Sequence, residues 1–213
     1  MIRRLCLCLV LLGLPELSAG VAPAAGAEVE RGRLIAHGGG PAAACFRCHG
    51  LDGMGDAAQA APRLAGLPEF YLGKQMRDFA RGTRPDPVMS PIAEALDDDG
   101  RRAVAAYYAA LPNTAVAAGE GPEEGRRIAL EGLPGRGVPA CAACHGHGLA
   151  NPAPALPSLV GQPASYIVLQ FGHWRVGNRN NDPLDGMERF ATRLRPEEIE
   201  AVAAWYAAQG GGP

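Results

Sequence analysis

Two short cysteine motifs carry the clearest chemistry in this sequence. The first consists of Cys45, Cys48 and His49, and the second of Cys141, Cys144 and His145. Two thiols three positions apart and an adjoining histidine are typical of covalent haem attachment. The spacing places both sulfurs on one turn, where each can form a thioether with a porphyrin vinyl group, and it directs the imidazole at the iron. The sequence therefore predicts two covalently bound haem c groups.

Other uses of paired cysteines fit less well. Zinc sites place about 12 to 20 residues between two cysteine pairs, far fewer than separate Cys48 from Cys141. A thioredoxin-type redox pair requires a strand that leads into a helix, and no strand pattern is present. Plain disulfides would not require a histidine after each pair.

The sixth iron ligand is predicted from an internal repeat. Met89 and Met187 follow His49 and His145 at similar distances, and each precedes the last helix of its half. A thioether is a soft, neutral ligand that favours ferrous iron. Six-coordinate iron has no open position for a substrate, so reversible one-electron transfer is the implied activity.

Other methionines and histidines are weaker candidates for the sixth iron ligand. They are Met54, Met76, His37, His147 and His173. The two methionines align with Ala150 and Phe171 in the other half, which favours a core or surface role. His147 is too close to His145 to reach the opposite haem face.

The repeat also suggests residues that support the ligands. Pro62 and Pro157 follow the two histidines at similar spacing, so their carbonyls could accept the imidazole Nδ1–H. Arg84 and Arg179 stand on the loops before the methionines and could pair with haem propionates. A solvated loop arginine is the alternative for each.

The first 27 residues resemble a secretory leader. Two arginines are followed by an apolar run and then by small residues up to Ala27, which is typical of a cleavable signal peptide. The apolar run is half the length of about 20 residues that a membrane span needs. Cleavage after Ala27 is expected, with a site near Ala19 and Gly20 as the alternative. It would remove Cys6 and Cys8 and leave no cysteine outside the two motifs.

The chain after the leader consists of two similar halves. Residues 28–111 form the first predicted domain and 123–213 the second, with 112–122 as a linker rich in small residues. Helices are expected over 29–36, 68–81, 98–111, 122–131 and 163–176, and from Pro196 onward. The predicted fold is all-α, with three to four helices per domain. Gly32 and Gly125 would allow the first helix of each half to approach the last.

Composition excludes some partners. The chain has 20 Lys and Arg against 22 Asp and Glu, a net charge of -2. Nucleic acid binding needs an excess of basic residues, so no nucleic acid partner is expected. Aromatic residues make up only 6% of the chain, so another group would have to complete the core of each half.

Together these residues resemble the dihaem cytochrome c4 family. The resemblance rests on the two haem motifs, the later methionines and the repeated segments around Tyr71 and Gln75, and Tyr166 and Gln170. It implies two class I cytochrome c domains related by an approximate twofold axis, with His/Met haems, in the periplasm of a Gram-negative bacterium. It also implies electron delivery toward a haem-copper terminal oxidase. The loop before Met187 is enlarged, which sets that ligand apart from Met89.

Three functions follow from these features. The leading one is a diffusing, monomeric, soluble electron carrier that exchanges electrons with redox proteins such as a terminal oxidase or a bc1-type complex. The second is an electron-accepting subunit of a periplasmic dehydrogenase, for example a flavoprotein that oxidises sulfide. A dihaem peroxidase is the third, and it would need a haem that can open its sixth position.

Overall fold

The computed structural model describes residues 25–42, 44–147, 153–182 and 186–210, and it is helical. Within these ranges there is no β-strand, and three isolated bridges are the only β-type pairing. The predicted leader lies outside the described residues apart from 25–27, which begin the first helix. None of the described helices is long and apolar enough to cross a bilayer.

The first half contains three long helices and two short ones. They are α1 (Ala25–Ala36), α2 (Phe46–His49), α3 (Glu69–Ala80), α4 (Met89–Glu94) and α5 (Asp98–Ala110). The side chain of Asp97 accepts a hydrogen bond from the amide of Gly100 at 2.6 Å and so caps α5. The three long helices agree with the predicted ones, whereas α2 and α4 were not predicted.

The second half repeats this order. Its helices are α6 (Glu123–Glu131), α7 (Ala142–His145), α8 (Ala164–Arg175), α9 (Gly186–Arg193) and α10 (Pro196–Ala208), with a 3-10 turn at Pro134–Arg136. Pro196 opens α10, where its missing N–H costs no hydrogen bond. Glu198 accepts a hydrogen bond from the amide of Arg195 at 2.8 Å, which satisfies a free amide at the start of the helix.

A glycine brings the first and last helices of each half together, as predicted. A β-carbon at position 32 would lie 1.9 Å from the carbonyl oxygen of Ala103, and one at position 125 would lie 2.1 Å from that of Ala201. These distances are far inside van der Waals contact, so only glycine permits α1 to approach α5 and α6 to approach α10. The close approach fixes how the first and last helices of each half pack, and the cysteine motif of that half follows the first of them.

The two halves pack their apolar residues differently. In the second half one cluster joins Ile128 on α6 to Phe171 on α8 and Tyr206 on α10. In the first half the buried apolar residues fall into two clusters, one around Leu67 and Tyr108 and one around Ile35, Leu96 and Val104. Many of the members are alanines, which bury little area each, as the composition predicts.

Candidate functional site

Each cysteine motif folds into a single helical turn. In α2 the amide of His49 donates to the carbonyl of Cys45 at 3.0 Å, and in α7 the amide of His145 donates to that of Cys141 at 2.8 Å. The turn places both thiols and the imidazole of one motif on a compact segment. None of these four cysteines is in a disulfide, and burial raises the pKa of the Cys45 thiol and raises that of the Cys141 thiol to about 11. Each motif therefore presents two thiols beside a histidine.

Both motif histidines are oriented by a proline carbonyl. Nδ1 of His49 lies 2.9 Å from the carbonyl oxygen of Pro62, and Nδ1 of His145 lies 2.9 Å from that of Pro157. Because a carbonyl only accepts, Nδ1 must carry the proton, which leaves Nε2 free to bind a metal. Burial lowers the pKa of both imidazoles, although the proline carbonyls act in the opposite direction. A neutral imidazole with a free Nε2 is the form that ligates iron.

The two candidate methionines lie at the start of short helices. Met89 is the first residue of α4, and its amide donates to the carboxylate of Asp86 at 2.8 Å. Met187 lies in the first turn of α9, and its amide donates to Asp182 at 2.8 Å. Both methionine side chains are half-buried. Met187 and Cys141 pack against the same core cluster of the second half.

An arginine binds the C-terminal end of each helix that carries a candidate methionine, α4 and α9. The two arginines occupy different positions of the repeat. Arg101 on α5 donates to the carbonyls of Ala93, at 2.7 Å, and Leu96. Arg175 on α8 donates to the carbonyls of Ala191, at 2.8 Å, and Leu194. The two pairs of carbonyls are equivalent, so the same restraint is reached by two different side chains. Sequence analysis missed both arginines because the repeat does not align them.

The weaker ligand candidates lie in several environments. Met76 packs against the cluster of Ile35 and Leu96, in keeping with a core role. Met54 is half-buried on the loop after His49, and His173 is half-buried on α8. His37 is exposed and lies 3.2 Å from the hydroxyl of Tyr107. His147 is exposed just before residues that lie outside the described ranges.

Arg84 and Arg179 lie buried where the two halves meet. Arg84 donates to Gln75 at 2.8 Å within its own half, and to Tyr166 at 3.0 Å and Gln170 at 2.8 Å in the other. The reciprocal bonds run from Arg179 to Gln170 at 2.7 Å, and to Tyr71 and Gln75 at 3.5 Å. This set of two arginines, two glutamines and two tyrosines is called here the interface network.

Aromatic rings complete the symmetry of the interface network. The guanidinium of Arg84 lies 4.4 Å from the ring centre of Phe79, and that of Arg179 lies 4.2 Å from Trp174. Sequence analysis used the tyrosines and glutamines only as markers of the repeat. A signal was available, because each Tyr and Gln lie four residues apart and so share one helix face.

The interface network carries positive charge that needs a counter-ion. Among the described residues no carboxylate forms an ion pair with Arg84 or Arg179. Burial and the neighbouring Arg84 lower the pKa of Arg179. Burial raises the pKa of Tyr166, but the two guanidiniums outweigh it, so its pKa lies below the ordinary value. Buried like charges are costly unless an anion joins them, and the propionates of a haem are such anions. The residues present therefore fit haem.

Arg63 breaks the symmetry at the same interface. Its side chain is 1% exposed, and it donates to the carbonyl of Ala65 and, at 2.9 Å, to that of Ser158 in the other half. Its backbone is paired in both directions with the side chain of Gln162, at 3.0 and 2.8 Å. Burial lowers the pKa of Arg63 to about 10. Arg63 and Ser158 occupy equivalent positions of the repeat.

Comparison with known proteins decides the family. The sequence model described as "Cytochrome c" matches residues 40–111, and the one described as "Cytochrome C oxidase, cbb3-type, subunit III" matches residues 138–205. A thiosulfate dehydrogenase electron acceptor of Thiomonas intermedia (strain K12) is 45% identical over 172 residues, or 79% of each chain. Cytochrome c4 of Thiocapsa roseopersicina is 37% identical over 164 residues, covering 76% of this chain and 84% of the relative. The chain belongs to the dihaem cytochrome c4 family.

Solved structures agree with this membership. This cytochrome matches the crystal structure of reduced cytochrome c4 from Pseudomonas stutzeri with a TM-score of 0.71 at 31% identity, over 85% of this chain and 98% of that one. It matches a thiosulfate dehydrogenase from Marichromatium purpuratum with a TM-score of 0.78 at 41% identity. That match covers 85% of this chain but only 40% of the longer one.

The predictions of fold and cofactor are confirmed. The cytochrome is all-α, has two tandem cytochrome c domains, and carries two covalently bound haem c groups. Its general activity is electron transfer. The individual ligands and the domain boundaries stay predictions and are taken up below.

Proposed function

We propose that this cytochrome is the electron acceptor of a periplasmic thiosulfate dehydrogenase and takes up one electron at each of its two haems. The observation that carries the proposal is the 45% identity to a thiosulfate dehydrogenase electron acceptor over 79% of both chains, compared with 37% to a cytochrome c4. A second acceptor of this kind, from Stutzerimonas stutzeri (strain A1501), is 44% identical. This role corresponds to the electron-accepting subunit of a periplasmic dehydrogenase, the second of the three functions inferred from the sequence.

The proposal includes a ligand set for each haem. Cys45 and Cys48 would attach the first haem, and His49 and Met89 would supply the two protein ligands of its iron. The corresponding residues of the second haem are Cys141, Cys144, His145 and Met187. Bound in this way, the iron supplies reversible one-electron reduction and has no open position for a substrate. The chain itself is then an electron-transfer protein and not an enzyme.

The surrounding side chains support that role. The carbonyls of Pro62 and Pro157 hold each imidazole with Nε2 toward the iron. The Asp86 and Asp182 carboxylates fix the amides from which the methionine side chains extend. Arg84 and Arg179 supply buried positive charge for the propionates. Rigid ligands reduce the rearrangement that each electron transfer requires.

The organisation of the chain is part of the proposal. Residues 1–27 form a signal peptide that directs the protein to the periplasm, 28–111 and 123–213 form the two domains, and 112–122 link them. The near-neutral charge of the chain gives little electrostatic steering, so partners are recognised by contact around the haem edges. The free cytochrome is proposed to be monomeric.

A test compares electron donors with the haem-loaded protein. Purified thiosulfate dehydrogenase in catalytic amount plus thiosulfate should reduce both haems, as followed by visible absorption, and thiosulfate alone should not. A sulfide-oxidising flavoprotein with sulfide serves as the alternative donor. Reduction by the flavoprotein at a higher kcat/KM than by the thiosulfate enzyme would contradict the proposal.

A second candidate is delivery of electrons to a terminal oxidase, which the match of residues 138–205 to a cbb3-type oxidase subunit favours. The two functions can act as consecutive steps, because an electron acceptor must also pass its electrons on. Oxygen uptake by a purified cbb3-type oxidase with the reduced cytochrome as the only donor tests this step. Failure of the oxidase assay would leave the acceptor role standing.

A further inference from the structure

The loop that precedes Met187 is held by the other domain. Lys74 on α3 donates through Nζ to the carbonyl of Asn181 at 2.6 Å. The side-chain amide of Asn181 donates to Gln75 at 3.0 Å and to Asp78 at 2.5 Å. Lys74 and Asp78 also form an ion pair with each other at 2.5 Å, and both side chains are mostly buried. This set of Lys74, Asp78 and Asn181 is called here the cross-domain clamp.

The cross-domain clamp is adjacent to the residue that anchors Met187. Asp182 follows Asn181 directly, and its carboxylate accepts the amide hydrogen of Met187 at 2.8 Å. Restraint at Asn181 therefore passes through one peptide unit and one hydrogen bond to the backbone of the methionine. In the first domain Asp86 anchors Met89 in the same manner. The second domain reaches the loop before Met89 through Tyr166 and Gln170, which accept bonds from Arg84, but the described residues include no counterpart of the cross-domain clamp there.

The two halves differ in sequence at the positions of the clamp residues on α3. Leu169 and His173 on α8 occupy the positions that correspond to Lys74 and Asp78 on α3. Leu169 has no donor, and it is 42% exposed. The loop before Met89 is also the shorter of the two. Arg84 and Arg179 tie each ligand loop to the other domain. Among the described residues, Lys74 and Asp78 add a further restraint on the second loop that has no counterpart on α8.

We propose that Lys74 and Asp78 are positioning residues for the sixth ligand of the second haem, so that the first domain controls how firmly Met187 stays on the iron. This inference rests on the proposed function, which assigns Met187 to that iron. The clamp limits the motion of the loop and lowers the fraction of time for which the methionine is detached. A competing ligand binds only during that fraction, so loosening the clamp should raise its apparent affinity.

Imidazole competition at about pH 8 measures this directly, because imidazole is then mostly neutral and its binding responds little to the loss of a distant charge. The test uses the haem-loaded protein in a Met89→His background, where only the second haem keeps a methionine. There Lys74→Leu, which introduces the residue of the equivalent position, should raise the affinity for imidazole roughly threefold to tenfold. Asp78→Ala should act in the same direction and serves if Lys74→Leu does not mature.

Two controls separate the clamp from general effects. Arg126→Leu removes an exposed cation that pairs with Glu123 on α6, in the same domain as Met187, and should leave the affinity unchanged. In a Met187→His background, Lys74→Leu should leave imidazole binding at the first haem unchanged. An equal rise in both backgrounds, or no rise in either, would overturn the inference.

The ligand assignment is checked separately in the parent protein. The Met-to-iron charge-transfer band should be present in the Met89→His protein before any change in the clamp. Its absence would overturn the assignment of Met187 and, with it, this inference. A normal band with unchanged imidazole affinity would overturn the inference alone and leave the proposed function intact.

Discussion

The hydroxyl of Tyr166 in the second domain accepts a hydrogen bond from the guanidinium of Arg84 in the first at 3.0 Å. Arg179 and Tyr71 form the corresponding pair in the opposite direction at 3.5 Å. The helices that carry the two tyrosines therefore meet through the residues that we propose to face the haem propionates. Packing of the two domains and the charge around the haems depend on the same side chains.

Removal of one buried charge from this interface should lower the haem potentials. Arg84→Gln deletes a positive charge that opposes oxidation of the iron, and we expect a fall on the order of 50 mV in at least one haem. A spectroscopic redox titration measures both midpoints. Arg84→Lys retains the charge and should lower the potential less, whereas an unchanged titration for Arg84→Gln would show that the arginine does not act on the haems.

Replacement of one methionine should affect one haem. Met187→His supplies a harder nitrogen ligand and should lower the potential of the second haem by roughly 100 to 300 mV. The first haem should keep its potential and its methionine band. Met89→His should give the converse result. Equal shifts of both haems in either variant would mean that the two sites do not titrate independently.

The close helix contacts at the two glycines should be sensitive to a single methyl group. Gly32→Ala and Gly125→Ala each force a β-carbon into a carbonyl oxygen of the facing helix, and we expect a loss of about 3 kcal/mol in the free energy of unfolding. Gly172→Ala on α8 is the matched control, because nothing lies within 4 Å of that position. Chemical denaturation should show the control to be as stable as the parent, or more stable by about 0.5 to 1 kcal/mol.

Glu198 should make the second domain more stable at neutral pH than in acid. Its carboxylate is buried and accepts bonds from Arg136 at 2.5 Å and Arg195 at 2.7 Å. Burial raises the pKa of Glu198, but these partners outweigh it and hold the pKa below the ordinary value of 4.5. A lowered folded pKa means that the stabilisation is complete above the ordinary value and is lost as pH falls through the folded one.

Glu198→Gln should therefore cost about 1 to 2 kcal/mol at pH 7, and the difference from the parent should shrink in acid. Urea unfolding at a series of pH values measures it. Glu197→Gln is the control, since Glu197 is exposed and pairs only with an exposed arginine. A constant difference at every pH would show that the charge of Glu198 does not contribute.

Local and repeated features of this molecule were predictable from sequence. The haem motifs, the long helices and the glycines at 32 and 125 each follow from short-range spacing or from comparison of the two halves. The single-turn helices α2 and α4 were not predicted, because four to six residues carry too little periodicity.

Most contacts between the domains could not be predicted from the sequence. The role of Gln75 depends on how α3 meets α8, and that of Lys74 depends on a loop more than a hundred positions away. Comparison of the repeats even works against detection of Lys74, because its equivalent is a leucine. Alignment of the two halves finds the shared residues of the interface network, but it does not find Lys74, which has no counterpart in the other half.

Arg63 shows that the two halves are not equivalent where they meet. Its guanidinium donates to the carbonyl of Ser158, its own equivalent in the other copy. Because the two equivalent positions are in contact, arginine at both would place two buried cations side by side. A chain made of two first halves could not assemble in this way.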